Sequence, residues 1–183
     1  MKLTLLFFGL AIYLLIGWLV SFPIRFRSYT LSSPKIKAPV RIAIVSDLHS
    51  TVYGPDQKRL LNKLRQSRCD LILMPGDIID DIKPLQGAEM FLDQVSAIAP
   101  CYYCTGNHEN IETLIPLSEV KARVRQAGIT VLDKKGETIT IHGTRLMLCG
   151  VDDPRKYAYT DRDQQEEVQL MNELGSMQDC PEY

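Results

Sequence analysis

The pattern of apolar positions divides the chain into two parts. From Leu3 to Phe22 there is no charged residue and no polar stripe, and apolar runs such as Leu5-Leu6-Phe7-Phe8 and Leu14-Leu15-Ile16 dominate. About twenty helical residues span roughly 30 Å, the thickness of a bilayer core. A cleavable signal would carry a shorter apolar region and a small-x-small site, and Trp18-Leu19-Val20-Ser21-Phe22-Pro23 offers none. Residues 1–22 are therefore expected to form an uncleaved transmembrane signal anchor, making this a single-pass protein of the cell membrane. Lys2 lies on one side of it, and Arg25, Arg27, Lys35 and Lys37 on the other. That excess leans toward a cytoplasmic domain but leaves the side open.

Pro23, Pro34 and Pro39 with Ser32-Ser33 predict a linker over 23–39. A domain is expected over 40–183. The β-branched run Val40–Val45 predicts a strand that stops at Ser46-Asp47, and Leu60, Leu61 and Leu64 give helical spacing to residues 57–66. Asp70–Met74 reads as a second buried strand, ending at Pro75-Gly76-Asp77. A helix over Ala88–Ile98 leads to a third strand over Cys101–Thr105, closed by Gly106-Asn107. Another helix over Pro116–Ala127 precedes Ile129–Val131, and Glu137–His142 with Arg145–Cys149 predict a hairpin around Gly143-Thr144. Strands alternating with helices imply parallel βαβ units, hence an α/β fold whose ligand site lies outside the carboxyl ends of the strands.

The length, 183 residues, suits one soluble domain with a sizeable core. A formal net charge of −1 provides no polyanion-binding surface, so nucleic acid is not an expected partner. The cysteine count is odd, at five, and most lie in apolar, strand-like contexts, which reads as buried thiols and not a disulfide framework. Cys101 and Cys104 form a C-x-x-C, but no second pair accompanies them, and in a strand their sulfurs would face opposite sides.

The candidate chemistry sits where the first three strands of the domain end. The clusters are Asp47-Leu48-His49, Gly76-Asp77-Ile78-Ile79-Asp80 and Gly106-Asn107-His108-Glu109, and Asp47, Asp77 and Asn107 recur at an interval of 30 residues, one βαβ step. Carboxylate, imidazole and amide oxygen gathered at one sheet edge make a mixed O/N donor set suited to borderline metals. Adjacent carboxylates repel, so a metal would also resolve a charge problem. Taken singly, each cluster reads equally well as a helix cap or a turn.

D-x-H, G-D-x-x-D and G-N-H-E in this order resemble the first three signature motifs of the calcineurin-like metallophosphoesterases, over about Arg41 to Pro154. The hydrophobic anchor and Gly150-Val151-Asp152-Asp153-Pro154 look like the bacterial membrane-associated phosphodiesterase branch. The resemblance implies a β-sandwich flanked by helices, with two divalent or trivalent ions (manganese, iron or zinc) at one sheet edge. Carried onto this chain, it makes Asp47 and His49 ligands of the first ion, Asp77 the bridging carboxylate and Asn107 an amide-oxygen ligand of the second. It makes His108 the residue that contacts phosphate and assists the leaving oxygen, and Asp80 and Glu109 groups that orient ligands. The implied reaction is phosphodiester or phosphomonoester hydrolysis, by hydroxide formed on a metal-bound water whose pKa falls from about 15.7 to near neutrality. An anchor beside the bilayer makes lipid-linked phosphoesters reasonable substrates.

The family completes its site with a further His and a downstream G-H-x-H. This chain has three histidines, His49, His108 and His142, and His142 falls mid-strand in the expected hairpin. The expectation is a domain incomplete at its C-terminus, with the second ion left to Asp77 and Asn107 and hydrolysis impaired. The competing expectation is a catalytically inactive, membrane-tethered binding module.

Overall fold

The computed structural model describes residues 9, 12, 13, 24–110 and 115–153. Apart from three positions, the anchor expected over 1–22 lies outside the described residues. Among those described, no helix is long and apolar enough to cross a membrane. Contacts divide the chain into two compact units, Met1–Leu31 and Ser32–Tyr183.

The second unit is mixed α/β. Four parallel strands, β1 (Ile42–Ile44), β2 (Leu71–Pro75), β3 (Cys101–Cys104) and β4 (Thr130–Val131), lie side by side in chain order. The helices between them are α1 (Lys58–Ser67), α2 (Gln86–Val95), the single turn α3 (Asn107–Asn110) and α4 (Leu117–Gln126). Each long helix buries one stripe: Leu60, Leu61 and Leu64 on α1, Ala88, Phe91, Leu92 and Val95 on α2, and Val120 and Val124 on α4. α2 ends at Val95, earlier than its apolar pattern suggested, because Ala97 and Ile98 donate to Gln94 and Val95 in i→i−3 turns.

β2 is the centre of the sheet, in register with β1 (Ile42 opposite Leu71) and with β3 (Ile72 opposite Cys101). Leu71, Ile72 and Met74 are all essentially without solvent exposure. Adjacent residues of a strand point to opposite faces, so both faces of the sheet are covered at β2. One cover is the antiparallel hairpin β5 (Lys135–Ile141) and β6 (Thr144–Gly150), whose Ile139, Ile141 and Leu148 pack with Leu73 on the cluster of Leu71, Tyr102 and Leu132. This is the second β-layer among the described residues.

The hairpin turn is His142-Gly143, one residue earlier than expected, because both adopt positive φ (49° and 75°) as a two-residue turn matched to strand twist requires. His142 is thus a turn residue and not mid-strand. Its Nδ1 is 3.1 Å from the Pro39 carbonyl and its Nε2 3.4 Å from Asp70, at the amino end of β2. Thr144 next to it is fully buried, and its Oγ1 accepts the N–H groups of Lys37 and Ala38. The last residues of the expected linker are therefore bonded to the hairpin.

Candidate metal centre

Backbone pairing continues past the ends of β1 and β2 and builds the site. Val45 donates to Leu73, Asp47 to Gly76, His49 to Asp77 and Ser50 to Ile78, so the segment after β1 runs beside the segment after β2. Along it, Asp47, His49, Ser50 and Asp77 all adopt positive φ between 45° and 55°. For residues with a Cβ this left-handed conformation costs about 1–2 kcal/mol each, and it persists here because the pairing fixes both segments. It turns three donor side chains toward one point: ligand atoms of Asp47, His49 and Asp77 lie within 4.8 Å of one another.

The glycines of two clusters are explained by the same crowding. A Cβ on Gly76 would overlap the backbone of Gly106, and one on Gly106 would overlap the Asp77 carboxylate. The turns after β2 and β3 touch backbone to backbone. Gly87, at the start of α2, has no room for a Cβ either, because the carbonyl of Ser50 occupies that space.

Glu109 supports these turns from beneath. It is 2% exposed, and its carboxylate accepts the N–H groups of Asp77 (2.9 Å), Ile78 (2.7 Å), Ile79 (2.9 Å) and Gly106 (2.9 Å). Burial raises its pKa and the Asp77 charge adds to that rise, while the amides of Ile79, Gly106 and Asp77 oppose it. The α3 turn then places the His108 N–H 3.0 Å from Asp77 Oδ1, and Asn107 opens the same turn.

Asp80 orients His49. Its Oδ1 accepts the N–H groups of Ile82 (2.9 Å) and Lys83 (2.8 Å), and its Oδ2 lies 3.4 Å from His49 Nδ1. Burial opposes ionisation of Asp80, but those two amides and the charges of Lys83 and His49 outweigh it and hold the carboxyl below its ordinary value. With Nδ1 toward Asp80, His49 turns Nε2 to within 3.8 Å of Asp47 Oδ1. His108 is held similarly, by an acid the motif reading did not single out: its Nδ1 is 2.7 Å from Asp81 Oδ1. Burial lowers the His108 pKa, but the Asp81 bond and the charges of Asp77, Asp81 and Asp80 outweigh it, so the net shift is upward. The two imidazoles meet edge to face, 4.3 Å between centroids.

A second set, His49, Asp80 and His108, also lies within 4.8 Å. It suits a metal less well, because Asp80 is buried and engaged by amides while His108 is engaged by Asp81. Asp47, His49 and Asp77 provide two carboxylates and an oriented imidazole, a donor set that fits a borderline divalent ion. No cysteine belongs to either set, and Cys101 and Cys104 are free thiols of β3. His142 sits at the opposite edge of the sheet. Besides Asp81, the motif reading passed over Lys121 and Asp133, which with Asp152 of the Gly150–Pro154 segment form an ion-paired group behind the β3 turn. Asp81 was signalled only by standing next to Asp80, and Lys121 by nothing in its helix.

A family model described as calcineurin-like phosphoesterase matches residues 40–179. F40B5.2 of Caenorhabditis elegans, a protein named for the metallophosphoesterases, is 32% identical over 123 residues, covering 62% of this chain and 24% of the relative. The chain therefore spans about a quarter of that relative's length. The crystal structure of phosphopantetheinyl hydrolase from Mycobacterium tuberculosis superposes with a TM-score of 0.52 at 13% identity, covering 79% of this chain and 65% of that one, a likeness of fold alone. With the family match extending over most of the chain, and the three motif clusters folded into one sheet edge, this chain belongs to the calcineurin-like phosphoesterase family.

Proposed function

We propose that this chain provides a dinuclear metal site for phosphoester hydrolysis. The observation that carries the reading is the convergence of Asp47, His49 and Asp77 to within 4.8 Å at the carboxyl edge of a parallel sheet. These three would hold the first ion, while the second carboxylate oxygen of Asp77 and the Asn107 amide would hold the other. Bound there, two ions would neutralise phosphoryl oxygens and would lower the pKa of a coordinated water. The protein's own groups do the rest. Asp80 faces His49 Nδ1, and Glu109 fixes the loops that carry Asp77 and His108. His108, whose Nδ1 is held by Asp81, would give a proton to the leaving oxygen.

The substrate class that follows is a phosphodiester or phosphomonoester. The apolar segment 1–22 would hold the domain at the cell membrane as a single-pass anchor, where lipid-linked phosphoesters are accessible, as in the bacterial membrane-associated branch. A second reading, a tethered binding module without turnover, is favoured by one observation. Among the described residues, Asp77 and Asn107 are the groups assigned to the second ion.

The test is manganese titration into the metal-free chain, with hydrolysis of bis(p-nitrophenyl) phosphate as the activity readout. Asp77→Asn should lose more metal than Asp80→Asn, because one carboxylate is assigned to both ions. Greater loss from Asp80→Asn would sink the bridging assignment, and tight binding without turnover would favour the second reading. Deleting residues 1–22 should move the protein from the membrane to the soluble fraction. Release of the full chain by alkaline carbonate would rule out a spanning anchor.

A further inference from the structure

The turn that carries Asn107 and His108 is held at both ends by a segment distant in sequence. Thr105, the residue before Gly106, is 3% exposed; its N–H donates to Asp152 Oδ1 at 3.1 Å, and its carbonyl accepts the Asp153 N–H at 2.9 Å. At the other end of the turn, Asn110 Nδ2 donates to the Asp153 carbonyl at 2.5 Å. The segment just after β6 is thus a clamp on the loop between β3 and α4.

Asp152 is itself a problem for the fold. Its side chain is 16% exposed, and Asp133 lies close enough to share one ammonium with it. Two acids held this close repel unless a cation lies between them, and an Asp152 that swung into solvent would leave the buried Thr105 N–H without a partner. Lys121 prevents this. Reaching from α4 with a side chain 11% exposed, it places Nζ 2.5 Å from Asp152 Oδ2 and 2.7 Å from Asp133 Oδ2. Its charge is spent on two acids, neither of which is a candidate metal ligand.

We infer that Lys121 is a positioning residue for the metal-binding turn: through Asp152 it fixes Thr105, and through Thr105 it fixes where Asn107 and His108 stand against Asp77. The inference rests on the reading of Asp77 and Asn107 as metal ligands, but its first consequence does not require a metal. The contact that transmits it is the His108 N–H on Asp77 Oδ1. A Lys that merely strengthens the fold would protect every element alike. A positioning Lys protects one turn.

The experiment is hydrogen exchange, read by peptide mass spectrometry on the metal-free 183-residue chain, followed by manganese titration of the same samples. Lys121→Met keeps the length and removes the charge. Arg123→Met is the control, since Arg123 is on the same helix but pairs with the exposed Glu89 and Glu119. Lys121→Met should speed exchange over 105–110 at least tenfold while α1 stays within twofold, and should weaken manganese binding at least fivefold. Lys121→Arg should restore most of both, and Arg123→Met should change neither. Unchanged exchange over 105–110, or an equal rise in α1, would overturn the inference. If Lys121→Met does not fold, Asp152→Ala against Lys121→Arg makes the same comparison. A wild-type chain that binds no manganese would overturn the metal reading, and the exchange pattern would still decide the role of Lys121.

Discussion

The Glu109 carboxylate accepts the N–H of Asp77 at 2.9 Å, and the same oxygen accepts the N–H of Gly106 at 2.9 Å. One buried acid, outside the candidate ligand set, therefore joins the turn after β2 to the turn after β3. The geometry available to a metal depends on a residue that would not touch it. Glu109→Gln replaces an acceptor-only group with one that carries two donors, so some of the four amides lose their partner. Leaving buried amides unpaired costs about 1–3 kcal/mol each. We expect a loss of about 2–4 kcal/mol, seen as a fall of roughly 5–15 °C in the unfolding midpoint. A midpoint unchanged within a degree would show that the four bonds contribute nothing.

Gly106→Ala and Gly143→Ala separate crowding at the centre from ordinary turn strain. The first puts a methyl into the Asp77 carboxylate, whereas the second finds open space around a residue at φ +75°. Gly143→Ala should cost about 1 kcal/mol of stability and leave manganese affinity intact. Gly106→Ala should weaken manganese binding at least tenfold in the same titration. Equal affinities would mean that Asp77 can move aside without consequence.

The cysteines differ in reactivity by environment. Burial pushes the Cys101 thiol up to about 12 and the Cys104 thiol up to about 11, so neither provides appreciable thiolate at pH 8. Cys149 is exposed. Among these three, iodoacetamide at pH 8 should modify Cys149 first, by at least tenfold in rate, as read by peptide mass spectrometry. Early labelling of Cys101 would contradict the packing of β3.

Removing the Lys121 charge should have a pH signature. The bond from Lys121 leads the effects that hold Asp133 below its ordinary value. Stability from a depressed carboxylate is present above its unfolded pKa, near pH 4, and is lost as pH falls through the lower native value. Burial lowers the Lys121 pKa, but its bonds to Asp133 and Asp152 outweigh that and raise it overall. This contribution is present below the unfolded lysine value, about 10.4, and is lost as pH rises through the raised one. The gap in unfolding midpoint between wild type and Lys121→Met should therefore be level from about pH 5 to 9 and should narrow at both extremes. A gap that widens below pH 4 would reverse the assignment.

Much of this protein was legible in its sequence for a simple reason. A buried parallel strand is a run of apolar residues, and it must end where polar side chains can reach solvent or a ligand. Leu71–Pro75 and Cys101–Cys104 follow that rule, whereas Ile42 and Ile44 of the edge strand β1 are exposed; all three runs nevertheless end at the edge where Asp47, Asp77 and Asn107 stand. Glycines at 76 and 106 were visible as turn residues, but not the reason for them, which is that two turns distant in sequence touch each other. Tertiary structure alone decided how charges pair. Asp80 faces His49, Asp81 faces His108, and Lys121 on α4 reaches Asp152 beyond β6. Periodicity specifies which face of an element is buried, because burial is a property of each residue's own transfer energy. It does not specify which acid a base will meet, because that depends on the relative placement of elements that the chain brings together only when folded.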